Sequence, residues 1–176
     1  MEIIDYFDID NKEKLGSAER MYVHENNLWH REVAIWVMNE NNEILLERRS
    51  PKKKRGANKL SIVAGHVDEN EKECIAALRE VKEEIGLEYK EEDLIFLGIY
   101  RMQHDKNKCF SYTYLLKTDK KINEMIMQED EVSELKYITI EELEERVEKQ
   151  DEELPLVKRD YIKDLIEKIK IEAERI

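Results

Sequence analysis

The chain is short of cysteine: Cys74 and Cys109 are the only two among 176 residues. Two cysteines make no disulfide framework, and both lie inside predicted elements, so they read as buried thiols in a reducing compartment. Long apolar runs are missing as well. No stretch is long enough to cross a bilayer as a helix, and the N-terminus shows no signal-peptide pattern, which predicts a cytoplasmic protein without membrane contact. Positive charge is the third shortfall, with 30 Lys and Arg against 42 Asp and Glu and a formal net charge of −12. That balance argues against polymeric nucleic acid as a partner, because backbone phosphates need a basic surface. It leaves room for a small phosphate ligand held by a metal and a local basic patch. No repeat or low-complexity linker divides the sequence, and its length suits one domain, residues 1–176.

What is present is glutamate at fixed spacing. The segment from Gly65 to Leu87 reads GHVDENEKECIAALREVKEEIGL. Advancing a helix from about Glu71 to Ile85 puts Cys74, Ile75, Leu78, Val81, Lys82 and Ile85 on one side, which predicts the core-facing stripe. Glu80, Glu83 and Glu84 fall on the opposite side as i,i+3 and i,i+4 neighbours, whose mutual repulsion a bound cation would remove. Glu71 lies off that face and reads as a supporting residue. Gly86 suits the left-handed position after a helix, and Gly65 permits a loop whose carbonyl can face a metal. Clustered carboxylates on a rigid element suit a divalent ion, and such an ion suits diphosphate chemistry.

At every defined position the segment resembles the Nudix box, Gly-x5-Glu-x7-Arg-Glu-U-x-Glu-Glu-x-Gly-U with U aliphatic. The resemblance implies an α/β fold, a Nudix-type α/β/α sandwich with a mixed β-sheet and the box helix packed on it. It also implies Mg2+-dependent hydrolysis, with Mn2+ as substitute, of a nucleoside diphosphate linked to another moiety. Gly65, Glu80, Glu83 and Glu84 would hold the metal, with Glu80 and Arg79 at the chemistry and Glu71 and Gly86 in support. Glu80 or a glutamate outside the box, such as Glu129 or Glu131, would serve as base. Many members of the family dimerise, so a homodimer is among the implications.

The stretch LWHREVAIWVMNENNEILLERRSPKKKRGANKLSIVAGH is also similar to the isopentenyl-diphosphate isomerase branch of that superfamily. In those isomerases histidines and glutamates build a separate metal site, and here His30 and His66 match the pattern while His24 matches approximately. Isomerisation needs a protonating cysteine just before the Gly-His, where this chain has Ala64, and a glutamate near the position of Asn107, Lys108 and Cys109. The resemblance therefore implies a hydrolase on an isomerase-like scaffold. The alternatives are an isomerase-like enzyme and a non-catalytic ligand sensor.

Elsewhere the pattern predicts two strands around Asp8–Lys12, then a loop or short helix over residues 20–29, so that residues 1–29 form a hairpin and lead-in. Val33–Met38 and Ile44–Leu46 flank the turn Asn39-Glu40-Asn41-Asn42 as a hairpin. A basic loop spans residues 50–59, and Leu60–Val67 is a strand. Leu94–Gln103 and Cys109–Leu116 pair across Asp105-Lys106-Asn107-Lys108. Residues 120–131 are ambiguous. Leu135–Ile138 is a strand, Thr139 caps a helix, and a last helix runs from about Leu156 to Glu174, within the C-terminal stretch 150–176 that packs on the domain. Arg48, Arg49, Lys54, Arg101 and Glu131 are candidates for contact with a small diphosphate substrate. Arg48 and Arg49 alternate in direction, so one of them faces the site. Trp29, Trp36, Tyr100 and Tyr112 are the aromatics that could stack a base.

Overall fold

The computed structural model describes residues 1–104 and 107–175, so Asp105, Lys106 and Ile176 lie outside it. Its strands are β1 (Ile3–Phe7), β2 (Lys14–Glu19), β3 (Trp29–Met38), β4 (Ile44–Arg49), β5 (Leu60–Ser61), β6 (Val63–His66), β7 (Leu94–His104), β8 (Asn107–Lys117) and β9 (Val132–Ile138). The helices are α1 (Arg20–Glu25), α2 (Glu73–Ile85), α3 (Ile140–Glu148) and α4 (Ile162–Ala173).

The organising strand is β3. Along one edge it pairs parallel with β8, from Trp29 opposite Lys108 to Met38 opposite Lys117. Its other edge is shared in succession by β1 at Trp29 and His30, β6 from Glu32 to Ile35, and β4 at Met38 alone. The sheet is mixed, as expected. The predicted turn at residues 39–42 forms, with Asn42 at φ 59°, yet β3 and β4 separate after the single Met38–Ile44 pair. The reason is competition for edges: β6 takes the edge of β3 from Glu32 to Ile35, and β5 takes that of β4 at Glu47 and Arg48.

Side chains alternate across the sheet as the pleat requires. Val33, Ile35, Val37 and Leu45 pack with Ala76, Ala77, Val81 and Ile85 of α2. Ala34, Trp36, Met38, Ile44 and Leu46 pack on the other face with α3 and α4, where Leu143, Val147, Leu165, Ile166 and Ile169 supply the apolar stripes. The result is the α/β/α layering expected, with α2 on one face.

Two helices depart from expectation. The box helix starts at Glu73, leaving Glu71 in the preceding turn, and its buried stripe is Ala76, Ala77, Val81, Glu84 and Ile85. Ile75, expected in the core, is 40% exposed. The paired alanines let the helix backbone approach the sheet closely, which rotates Ile75 outward and turns Glu84 in. At the C-terminus, Pro155 opens a short 3-10 turn, Pro155–Lys158, and Arg159 is extended, so α4 begins only at Ile162. Thr139 caps α3 as predicted, accepting from the Glu142 N–H. Among the described residues no helix is long and apolar enough to cross a membrane.

Candidate active site

The box loop and helix are joined by an arginine clamp. Arg79 Nε and Nη2 donate to the two oxygens of Glu71, each at 2.9 Å, and Nη2 also donates to the His66 carbonyl at 2.9 Å. Nη1 donates to Glu80 Oε1 at 2.7 Å and more weakly to Glu83 at 3.4 Å. Glu71 further accepts the Asp68 N–H at 3.0 Å. Burial alone would raise the Glu71 carboxyl, but these hydrogen bonds more than offset it and hold it below its ordinary value. Gly86 ends α2 at φ 71°, its N–H donating to the Lys82 carbonyl, and a side chain there would collide with Ile126.

Glu80 lies flat against β6. A Cβ built on Gly65 would sit 2.0 Å from Glu80 Oε1, so the glycine is required by the carboxylate's position. Burial pushes the Glu80 carboxyl up to about 7, with the Glu83 and Glu2 charges adding to the rise and Arg79 opposing it. Glu84 is 5% exposed and lies in the seam between α2 and the sheet, away from solvent. There it meets the carboxyl of Glu47 of β4. Burial and the Glu47 and Glu80 charges push Glu84 well above the carboxylate range, and burial lifts Glu47 to about 7. Glu83 is the outer member, its side chain 50% exposed. The expectation that Glu80, Glu83 and Glu84 share the solvent side is thus corrected: Glu80 and Glu84 turn toward the sheet, because the buried stripe is set by Ala76 and Ala77.

The basic candidates separate. Arg49 lies on the face of Glu47, whose carboxyl it draws down, and donates to the Arg55 carbonyl at 3.3 Å. Arg48 lies on the opposite face, paired with Glu134 at 2.6 Å and Glu153 at 3.0 Å, so strand alternation takes it away from the carboxylates. Lys54 is exposed. Lys52 and Lys53 pair with Asp130 and Glu131, which ties the basic loop to the segment before β9. Glu131 is near enough to raise Glu47, whereas Glu129 is exposed. Arg101 stacks on Trp29, 4.5 Å from its centroid, in a separate aromatic cluster with Phe110. The aromatics considered for base stacking are already engaged: Trp36 is core, Trp29 stacks on Phe110, Tyr100 stacks on Tyr161, and Tyr112 accepts from Asn11.

A second cluster lies on the other face of β6. One ligand atom each of His24, His30 and His66 falls within 4.8 Å of the others. His24 Nε2 and His66 Nε2 are 3.0 Å apart, and Glu32 Oε1 lies 3.4 Å from His30 and 3.5 Å from His66. Burial pushes His66 down to about 4, which leaves it neutral at neutral pH. Cys109 is buried beside Glu32, whose charge helps push its thiol up.

Sequence reasoning missed Glu47, Glu32 and Glu2. Each had a signal. Glu47 interrupts the apolar run ILLERR on the parity of Leu45, and Glu32 shares the parity of His30. Glu2 lies between the clusters, 3.6 Å from His66 and near enough to raise Glu80.

Comparison with known proteins bears on the family and the fold. Residues 28–161 match the NUDIX domain family. An uncharacterized Nudix hydrolase of Clostridium acetobutylicum is 31% identical over 81% of this chain and 72% of its own length. An isopentenyl-diphosphate Delta-isomerase of Aromatoleum aromaticum is 25% identical over 81% of this chain and 76% of its own. A solved structure from Deinococcus radiodurans, 23% identical, superposes with a TM-score of 0.71 over 96% of this chain and 99% of that one.

Proposed function

This chain belongs to the Nudix hydrolase family, and from that membership we propose that it cleaves the diphosphate linkage of a nucleoside diphosphate derivative, or of a related small diphosphate, with Mg2+ or Mn2+. The observation that carries the reading is the seam under α2. Glu47 and Glu84 each keep one buried oxygen without a hydrogen-bond partner, and neither forms a salt bridge among the described residues. A buried carboxylate without a counter-charge is costly, and a divalent ion removes that cost. The Gly65 carbonyl, Glu80, Glu83 and Glu84 are oxygen donors of the kind Mg2+ takes. Bound there, the ion would offset diphosphate charge and polarise the linkage.

The chain's own residues supply the remainder. Glu80, held between Gly65 and Arg79, takes the proton of the attacking water. Arg79 acts as a positioning residue, since its donors are engaged by Glu71, Glu80 and the His66 carbonyl. Arg49, on the face of Glu47, receives phosphate charge, with the exposed Lys54 of the basic loop as a second cation for it. Water forms the new P–O bond, the bridging P–O bond breaks, and the products are a monophosphate and a second phosphate-bearing fragment. Ala64 and Asn107 supply no proton donor and no carboxylate for allylic isomerisation.

The test is a panel of nucleoside di- and triphosphates, nucleotide sugars, dinucleotides and prenyl diphosphates, each with Mg2+ and with Mn2+. Phosphate is assayed with and without added phosphatase, to separate terminal phosphate from phosphomonoester products. Metal-dependent release from at least one compound is expected. Allylic product from isopentenyl diphosphate without hydrolysis, or binding without turnover across the panel, would overturn the reading in favour of an isomerase or a sensor.

A second reading concerns the histidines. His24, His30 and His66 with Glu32 form an imidazole-rich donor set, which suits a transition ion better than Mg2+. We propose that it holds one, as in the isomerases it resembles. Metal analysis of the purified protein should find a transition metal that His66→Ala loses, and equal metal content in the two would sink the assignment.

A further inference from the structure

The sequence places Glu47 where charge is least expected. In β4, Ile44 and Leu46 face α3 and α4 while Leu45 faces α2, so alternation sends Glu47 under the box helix. It is 2% exposed. Its carboxyl meets that of Glu84, and Oε2 of each has no hydrogen-bond partner. Glu131 and Glu80 add further negative charge around it, and Arg49 is the cation whose field reaches it. Two carboxyl groups facing one another in a dry seam, each with an oxygen unused, are a poor structural device, because apolar residues of similar size would fill the seam at lower cost. They are a good ligand pair, because a divalent ion takes several oxygens from different elements.

The geometry points to Glu47 as a ligand of the divalent ion, supplied by the sheet from outside the box. The ion site then spans α2 and β4, with Glu84 between Glu80 on the outer side and Glu47 on the inner. This inference rests on the metal-dependent reading above. It adds that a strand residue, and not the box alone, sets the affinity for the ion.

The test compares wild type with Glu47→Gln in Mg2+ calorimetry and in thermal melts with EDTA or Mg2+. Mg2+ is chosen because it favours oxygen over imidazole ligands. The glutamine keeps the shape and can donate to Glu84, so a residue that merely buttresses Glu84 would be replaced without loss. The expected result is Mg2+ affinity lowered at least ~10-fold in Glu47→Gln, a higher melting temperature than wild type in EDTA, and most of the Mg2+-induced rise abolished. Glu47→Leu, matched to the apolar residues around Leu45, should behave the same way. Equal Mg2+ affinity in wild type and Glu47→Gln would overturn the assignment and leave the hydrolase reading standing. Absence of Mg2+ binding by wild type would overturn both.

Discussion

The loop of the box and the seam beneath its helix use the same residue type for opposite purposes. At the loop end, Glu71 meets Arg79 through two hydrogen bonds of 2.9 Å and also takes the Asp68 N–H. Its charge is answered from within the chain. At the seam, Glu47 and Glu84 are more deeply buried, yet each holds an unpartnered oxygen. Their charge is left for something else to answer. The difference teaches that carboxylates in one motif divide into those that fix the backbone and those held ready for a ligand, and that pairing with arginine marks the boundary. Glu80 stands on that boundary, bonded to Arg79 at 2.7 Å on one side and pressed on Gly65 on the other.

The largest effect is expected where the seam is broken. Glu84→Gln should lower Mg2+-dependent turnover by roughly 10²-fold or more, on the scale of losing an essential acid–base or electrostatic group. Its EDTA melting temperature should stay at or above that of wild type, checked by circular dichroism. A variant that turned over normally would erase the distinction between loop and seam. Breaking the clamp should do the reverse. Arg79→Met strands Glu71 and the His66 carbonyl, and should cost about 2 kcal/mol in urea unfolding, with activity falling because Glu80 loses its positioning bond.

The clamp can also be read by pH. The folded carboxyl of Glu71 lies below its ordinary value of 4.5. Its contribution to stability is therefore complete above pH 4.5 and is lost as pH falls through the folded value. Glu71→Gln should flatten the loss of stability below pH 4.5, and an unchanged slope in acid titration of the melting temperature would refute the assignment. The smallest effect is expected at Glu83, whose half-exposed side chain touches Arg79 only at 3.4 Å. Glu83→Gln should reduce turnover by about tenfold or less, because an exposed ligand is more readily replaced by water. A loss matching that of Glu84→Gln would show that exposure does not rank the ligands.

Much of this was legible in the sequence. The spacing of Gly65, Glu71, Arg79, Glu80, Glu84 and Gly86 named the loop, the helix and its end, and the apolar runs Val33–Met38 and Ile44–Leu46 named two strands of the sheet and the turn between them. The phase of α2 was not legible, because Ala76 and Ala77 weigh little in an apolar count, although their size decides how closely a helix approaches a sheet. The role of Glu47 was hidden for a related reason: a charge near the end of an apolar run reads as the edge of the strand until a partner is seen across from it. The choice between Arg48 and Arg49 needed the positions of Glu134 and Glu153, which are distant in the chain. The start of α4 was misread because Pro155 opens a 3-10 turn as readily as an α-helix.

One consequence follows from β6. Gly65 faces Glu80, and the next residue, His66, turns to the imidazole cluster. A residue inserted before Gly65 would put the glycine where the ring is needed, and a residue deleted there would put the imidazole where no Cβ fits. Both centres are thus keyed to one parity of one short strand. The strand has no slack to absorb such a change, because only the buried Ile62 separates it from β5.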